Sequence, residues 1–319
     1  MMLTAILFLA VGAVAFTNGA NANFKGVASL YGSGTASLRV ALWWGTATTF
    51  AGSIAAAFLA DALWKAFTGN GLAPEALAKT PAFLAAVALG AALTSFLATR
   101  LGFPVSTTHA LVGALIGAGL AGNWSGFDYS ALWMTFVVPL LASPLVAAVL
   151  GAIVYLVLRL MRLAPDERTV TLDVLHYASA GAASFARGLN DTPKMAALLM
   201  LVMEEHKFWA YVLVAALIAL GGLLDADGVA ETLGKKVTDM NPGQGFAASL
   251  VTAGLVTTAS LHSQPVSTTH VSVGSLIGIG GTTGQANWLM IGEILLAWIS
   301  TVPCGALLGA LAYWAINSI

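Results

Sequence analysis

Residues 104–109 read Pro-Val-Ser-Thr-Thr-His, and residues 265–270 read the same six. Each copy opens a short apolar run containing glycine, 110–120 after the first and 271–280 after the second. Such a run is as long as a minimal membrane helix or shorter, and a proline at its head suits a first helical turn. The first N–H groups of a helix have no partner within it. Serine and threonine hydroxyls beside them, together with the helix dipole, form a ready site for an oxyanion. The candidate ligands are therefore Ser106, Thr107, Thr108, Ser267, Thr268 and Thr269. Two such helix starts facing each other would make an anion site inside a membrane. The Ser-x-x-His spacing is also that of a nucleophile and its base. The duplication argues against this, because catalysis needs one asymmetric constellation, and the chain is read as a non-enzyme. His109 and His270 are read as side chains that bond a backbone group and fix the turn, in preference to proton carriers.

A second motif is also doubled. Gly19 and Gly188, Asn21 and Asn190, and Lys25 and Lys194 are each 169 residues apart, and the Pro-Val-Ser-Thr-Thr-His copies are 161 apart. Both stretches, around 17–26 and 186–195, place glycine, asparagine and lysine where an apolar run would continue. Polar breaks survive in a membrane where they line a cavity or are buried in protein. Two motifs recurring in one order at nearly one separation mark an internal duplication over most of the chain. The copies differ at one acid: Asp191 in the second break faces Ala22 in the first.

The elements that must position these residues follow from composition. Of 319 residues, 58% are hydrophobic and 8% charged, and the mean hydropathy is +0.87, against about 25% charged in soluble domains. This is an all-α polytopic membrane protein, embedded in the lipid bilayer of the cell inner or plasma membrane. The net charge of −1 excludes a nucleic-acid surface. Cys304 is the one cysteine, so no intrachain disulfide forms. Residues 1–16 lack a basic leader and are read as a retained first helix. Apolar runs cover 3–17, about 40–60, about 82–99, and 130–160 with Pro139 and Pro144 inside. In the second half they cover 174–186, 195–203, 208–224, 246–261, and 288–317 with Pro303 inside. Loops are expected at 61–81 and 225–243. The organisation is an N-terminal repeat at 1–161, an inter-repeat loop at 162–173 and a C-terminal repeat at 174–319, forming one transport domain. Arg159, Arg162 and Arg168 favour a cytoplasmic placement of that loop. Five or six segments per half are expected. An odd number would invert one half relative to the other, and the sequence leaves the parity open.

The stretches GANANFKG and GLNDTPK, the doubled PVSTTH and the stretch GKKVTDMNPGQGFAASLVTA resemble the inorganic phosphate transporter (PiT, Pho4-type) family, with its sulfate-permease relatives, over nearly the whole chain. The resemblance implies a secondary active transporter built from two inverted repeats, with broken helices and short half-helices meeting at the membrane midplane. It implies phosphate as substrate, sulfate in some members, symport with sodium or protons, and a homodimer. In the family the break reads approximately Gly-Ala-Asn-Asp, two residues, then Asn. The acid and the last Asn help hold sodium, while the Ser and Thr of the second motif hold the anion.

This chain departs from that pattern at Ala22 and at Lys25 and Lys194, which replace the Asn positions. Each lysine is a tethered cation where the family holds sodium, and a doubly charged oxyanion in low dielectric needs such charge nearby. Lys25 and Lys194 are therefore assigned to the substrate with Asn21 and Asn190. Asp191 is assigned to proton coupling, with no metal and no cofactor, and any sodium would sit near Asn21, Asn190 and Asp191. Arg187, opposite Asn18 in the repeat, is expected to line the same vestibule or to pair with an acid such as Glu204. Glu293 is expected near an interface or paired in the bundle. Phosphate leads as substrate. Sulfate is the alternative, because selecting phosphate is helped by an acceptor for its remaining proton and Ala22 removes one. An anion channel would use the same helix starts without coupling.

Overall fold

The computed structural model describes residues 1–60, 64, 67, 74–122 and 128–318; most of the expected loop at 61–81 lies outside them. Among the described residues, ten helices of at least fifteen residues carry the fold, numbered here in chain order. The first five are α1 (Met2–Ala22), α2 (Leu38–Leu59), α3 (Pro81–Arg100), α4 (Thr107–Ala121) and α5 (Val138–Leu160). The second five are α6 (Val170–Ala196), α7 (Lys207–Asp225), α8 (Pro242–Leu261), α9 (Thr268–Thr283) and α10 (Trp288–Asn317). Among the described residues, six helical stretches are long and apolar enough to cross a membrane, while α4 and α9 are shorter. The chain is thus a multi-pass integral membrane protein with five main helices in each half.

Local sequence explains where most helices start. Ser37, Thr80, Thr169, Asn241 and Asn287 each accept a hydrogen bond from a first-turn N–H, which satisfies one orphan donor. Asn241 and Gln244 form a reciprocal capping box. Helix α4 is capped the same way by Ser106, and α9 by Ser267. The prolines of the doubled motif therefore stand two residues before the caps and not in the first turn, as the sequence reading had them.

Two further expectations are corrected. The breaks lie later than their polar residues suggest. Helix α1 runs through Asn21 to Ala22 before a tight turn at Asn23–Gly26. Helix α6 runs unbroken through Asn190, Asp191 and Pro193 to Ala196, with the tight turn at Ala197–Leu199. Asparagine and aspartate unwind a helix when they bond their own backbone; here their side chains have partners on other helices. The expected polar loop 225–243 holds short helical pieces at Asp227–Glu231 and Thr232–Lys236, with Val229, Leu233 and Val237 buried.

The halves pack by exchange. Helix α1 lies on α7 of the other half, and its counterpart α6 lies on α2. Helix α4 lies on α10, and its counterpart α9 lies on α5. Glycines permit the close approach. A methyl group built on Gly117 would overlap the Ala306 carbonyl oxygen, and one on Gly278 the Ala148 carbonyl oxygen. Small residues in this spacing are how membrane helices come together without a hydrophobic driving force. Leu9, Leu145, Val149, Leu296 and Ile299 are among the large apolar side chains left exposed, as lipid-facing positions must be.

Candidate functional site

The site is built from the two tight turns and the two capped half-helices. Lys25 stands on the Asn23–Gly26 turn, and Lys194 in the last turn of α6. Both are buried, so neither reaches out to the membrane surface. The Lys25 ammonium donates to the Val105 carbonyl at 2.7 Å and to Thr269 Oγ1 at 2.5 Å. The Lys194 ammonium donates to the Val266 carbonyl at 2.8 Å and to Thr108 Oγ1 at 2.9 Å. The pattern is crossed: each lysine holds the carbonyl before the half-helix of its own half and a threonine on the half-helix of the other. The threonines complete the pattern, Thr269 Oγ1 donating to the Val105 carbonyl at 2.8 Å and Thr108 Oγ1 to the Val266 carbonyl at 3.3 Å. Hydrogen bonds from charged donors contribute about 1.5–3 kcal/mol each, so these four fasten the half-helices firmly.

The asparagines fix the lysines. Asn21 Oδ1 accepts from Lys25 at 3.3 Å and from the Val105 N–H at 3.0 Å, and its amide donates to Thr99 Oγ1 and to the Phe103 carbonyl. Asn190 Oδ1 accepts from Lys194, and its amide donates to Ser260 Oγ at 2.9 Å. Thr99 and Ser260 were not singled out from sequence. They are 161 residues apart, so the repeat offset was the available signal.

The acidic side is not symmetric. Asp191 Oδ1 accepts from Lys194 at 3.0 Å. Asp191 Oδ2 accepts from Asn18 Nδ2 at 3.3 Å and from Thr268 Oγ1 at 3.4 Å, and lies 3.6 Å from Arg187 Nε. Arg187 also donates to Asn18 Oδ1 at 2.5 Å. It thus pairs with Asp191 and with its own repeat counterpart Asn18, not with Glu204. Asn18 reaches Thr107 Oγ1 at 2.8 Å as well, a role the sequence reading missed. Lys25, Lys194 and Arg187 against Asp191 leave two formal positive charges in a buried centre. Uncompensated charge in such surroundings is costly.

The remaining candidates divide. Ser106 and Ser267 spend their hydroxyl oxygens on capping the His109 and His270 N–H groups, at 3.2 and 3.1 Å. That leaves each O–H proton to donate. His270 Nδ1 meets the Leu140 carbonyl of α5 at 2.9 Å and its ring stacks on Trp298 of α10, so it bonds a backbone group as expected, but on another helix and not in its own turn. Among the described residues, His109 Nδ1 has no hydrogen-bond partner, so no backbone bond is seen at that nitrogen. Glu293 is exposed, on a lipid-side cleft with Phe103 and Leu296. Among the described residues, no cluster of three or more His, Cys, Asp or Glu side chains is arranged to hold a metal.

Comparison with known proteins follows from this geometry. The family model described as "Phosphate transporter family" (PHO4) matches residues 18–172 and again residues 163–309. A probable low-affinity inorganic phosphate transporter of Rhizobium meliloti is 31% identical over 95% of this chain and 93% of its own length. A relative of the same description from Bacillus subtilis is 25% identical over 100% of this chain and 98% of its own. Among solved structures, one described as "The sodium-dependent phosphate transporter" covers 100% of both chains with a TM-score of 0.87 at 21% identity, a likeness of fold.

Proposed function

The chain belongs to the phosphate transporter family, and from that premise we propose that it carries inorganic phosphate as the dianion, by proton symport that does not need sodium. The observation that carries this reading is the pair of buried lysines, each bonded across to the opposite half. Their ammonium groups are the fixed counter-charge that a bound sodium would otherwise supply. An arriving dianion draws them off the Val105 and Val266 carbonyls and bonds Thr107, Thr108, Thr268, Thr269 and the O–H groups of Ser106 and Ser267. Releasing the crossed bonds frees one half to move against the other, so the site opens to alternate sides. Five main helices per half, an odd number, would set the halves inverted. The relatives named as phosphate transporters support the substrate. The neighbour named as sodium-dependent bears on fold alone.

Sulfate is the second reading, and one observation favours it. Both oxygens of Asp191 are already engaged, and Ala22 stands where a second carboxylate would be. Nothing in the centre is then set to accept the proton that distinguishes hydrogen phosphate from sulfate. The test is uptake of labelled phosphate into proteoliposomes under a pH gradient without sodium, challenged with unlabelled sulfate. Phosphate uptake that resists excess sulfate supports the first reading. Uptake abolished by sulfate supports a sulfate or general oxyanion permease, and a strict sodium requirement would sink the lysine argument.

A further inference from the structure

A chain of hydrogen-bonding side chains runs from the loop after the first break to the flank of the substrate site. At its outer end Ser33 Oγ and Thr35 Oγ1 are 2.8 Å apart. Thr35 Oγ1 is 3.3 Å from His176 Nδ1, and His176 Nε2 is 2.9 Å from Ser29 Oγ. Ser29 Oγ is 2.7 Å from Ser249 Oγ. Ser29 and Ser249 then line a cavity of about 10 Å³ together with Thr252, Ser272, Ser275 and Lys25, near the least volume that holds one water. Ser272 donates to the Lys25 carbonyl at 2.9 Å and lies one turn along α9 from Thr269, which receives the Lys25 ammonium. His176, Ser29, Thr35 and Ser249 are all buried.

The duplication shows that the fold does not require this chain. At the repeat offsets, His176 is answered by Leu7, Ser29 by Leu198, Ser249 by Ala88, Thr252 by Ala91, Ser272 by Leu111 and Ser275 by Ala114. All six counterparts sit in one apolar core cluster. Of the two places that the duplication relates, one buries hydrocarbon and the other buries a connected run of hydroxyls and an imidazole drawn from both halves. Buried polar groups gain little over a packed apolar core, so a network present at only one of the two places calls for a use.

We propose that this run is the route by which the coupling proton passes between the substrate site and the half-buried outer end at Ser33. Each hydroxyl passes one proton on as it receives another. His176 takes a proton at one ring nitrogen and gives one up at the other, so no charge is stranded and no other reactant is consumed. The outer end lies beside Arg168, which donates to the Gly34 and Thr35 carbonyls. The route therefore leads to the face of the arginine-bearing loop. The charged groups around His176 are Asp173, one turn earlier on α6, and Arg168, paired with it at 2.8 Å. Residues 28–32 and α8 bring no charged side chain to it, and α2 carries only Arg39, near its start. The route rests on the proton-coupled reading above.

The test compares two modes of transport in proteoliposomes holding the full chain. Accumulation of labelled phosphate under a pH gradient requires net proton movement. Exchange of labelled for unlabelled phosphate at equal pH returns the carrier loaded and requires none. His176→Gln and Ser249→Ala should each lower gradient-driven accumulation by about tenfold or more and leave exchange at the wild-type rate. Wild-type accumulation in both variants would overturn the route. So would loss of exchange together with accumulation in both, since the network would then be structural. A wild-type protein that exchanges phosphate but ignores the pH gradient would instead overturn the coupling itself.

Discussion

At the scale of single residues, the two lysines look equivalent in sequence and are not so in surroundings. Lys194 has Asp191 at 3.0 Å, whereas every hydrogen bond of Lys25 goes to a neutral oxygen. Breaking a buried ion pair by removing one partner costs about 3–5 kcal/mol. Lys194→Met should therefore lower both the thermal stability in detergent and the uptake. Lys25→Met removes an uncompensated buried charge. Removing that charge offsets part of the loss of its bonds to Val105 and Thr269, so this variant should melt above Lys194→Met while its phosphate affinity falls by about a hundredfold, a loss on the scale of one buried charged contact. Melting curves and uptake kinetics on the two variants separate these outcomes. Equal melting temperatures would show that Asp191 is satisfied by Arg187 and Asn18 alone.

At the scale of elements, the half-helices are placed by glycine. Gly117 of α4 and Gly278 of α9 each sit against a backbone carbonyl of the neighbouring long helix, while Gly254 of α8 has open space around it. Gly117→Ala should destabilise by about 1–3 kcal/mol through overpacking and reduce transport by displacing Thr107 and Thr108. Gly254→Ala should be neutral or slightly stabilising, since alanine is the better helix former; paired unfolding curves check both. This scale also shows what the sequence made readable. The long apolar runs and the duplicated motifs were legible because burial and repetition leave patterns in the chain itself. Lys25, Lys194, Asn21, Asn190 and the threonines were legible because they recur at a fixed offset. The helical course of α6 through Asn190 and Asp191 was not, because local propensity reads those residues as breakers. What holds them in a helix is Ser260, Asn18 and Thr268, all distant in sequence. For Arg187 the sequence left open lining the vestibule or pairing with an acid such as Glu204, because its partner Asn18 is 169 residues away.

At the scale of the molecule, the halves are joined by far more than the loop between them. The loop's ion pair, Arg159 with Asp166 at 3.3 Å, is exposed and contributes little. The crossed lysine bonds and the exchanged helices lie in the interior. Segments 1–161 and 162–319, produced together as separate polypeptides, should therefore assemble and transport phosphate, while either alone should not. Uptake in cells carrying one or both measures this, and inactive paired segments that both reach the membrane would show that the covalent link is required. The same crossed bonds bear on descent. A lysine that finds its threonine only on the other half has no complete site to work with in a half-length chain. A half-length ancestor with this geometry would have completed its site only as a pair of copies. Fusion then preserved an existing assembly. Only afterwards was either copy free to change on its own, so that Asp191, Arg187 and His176 of one now stand opposite Ala22, Asn18 and Leu7 of the other.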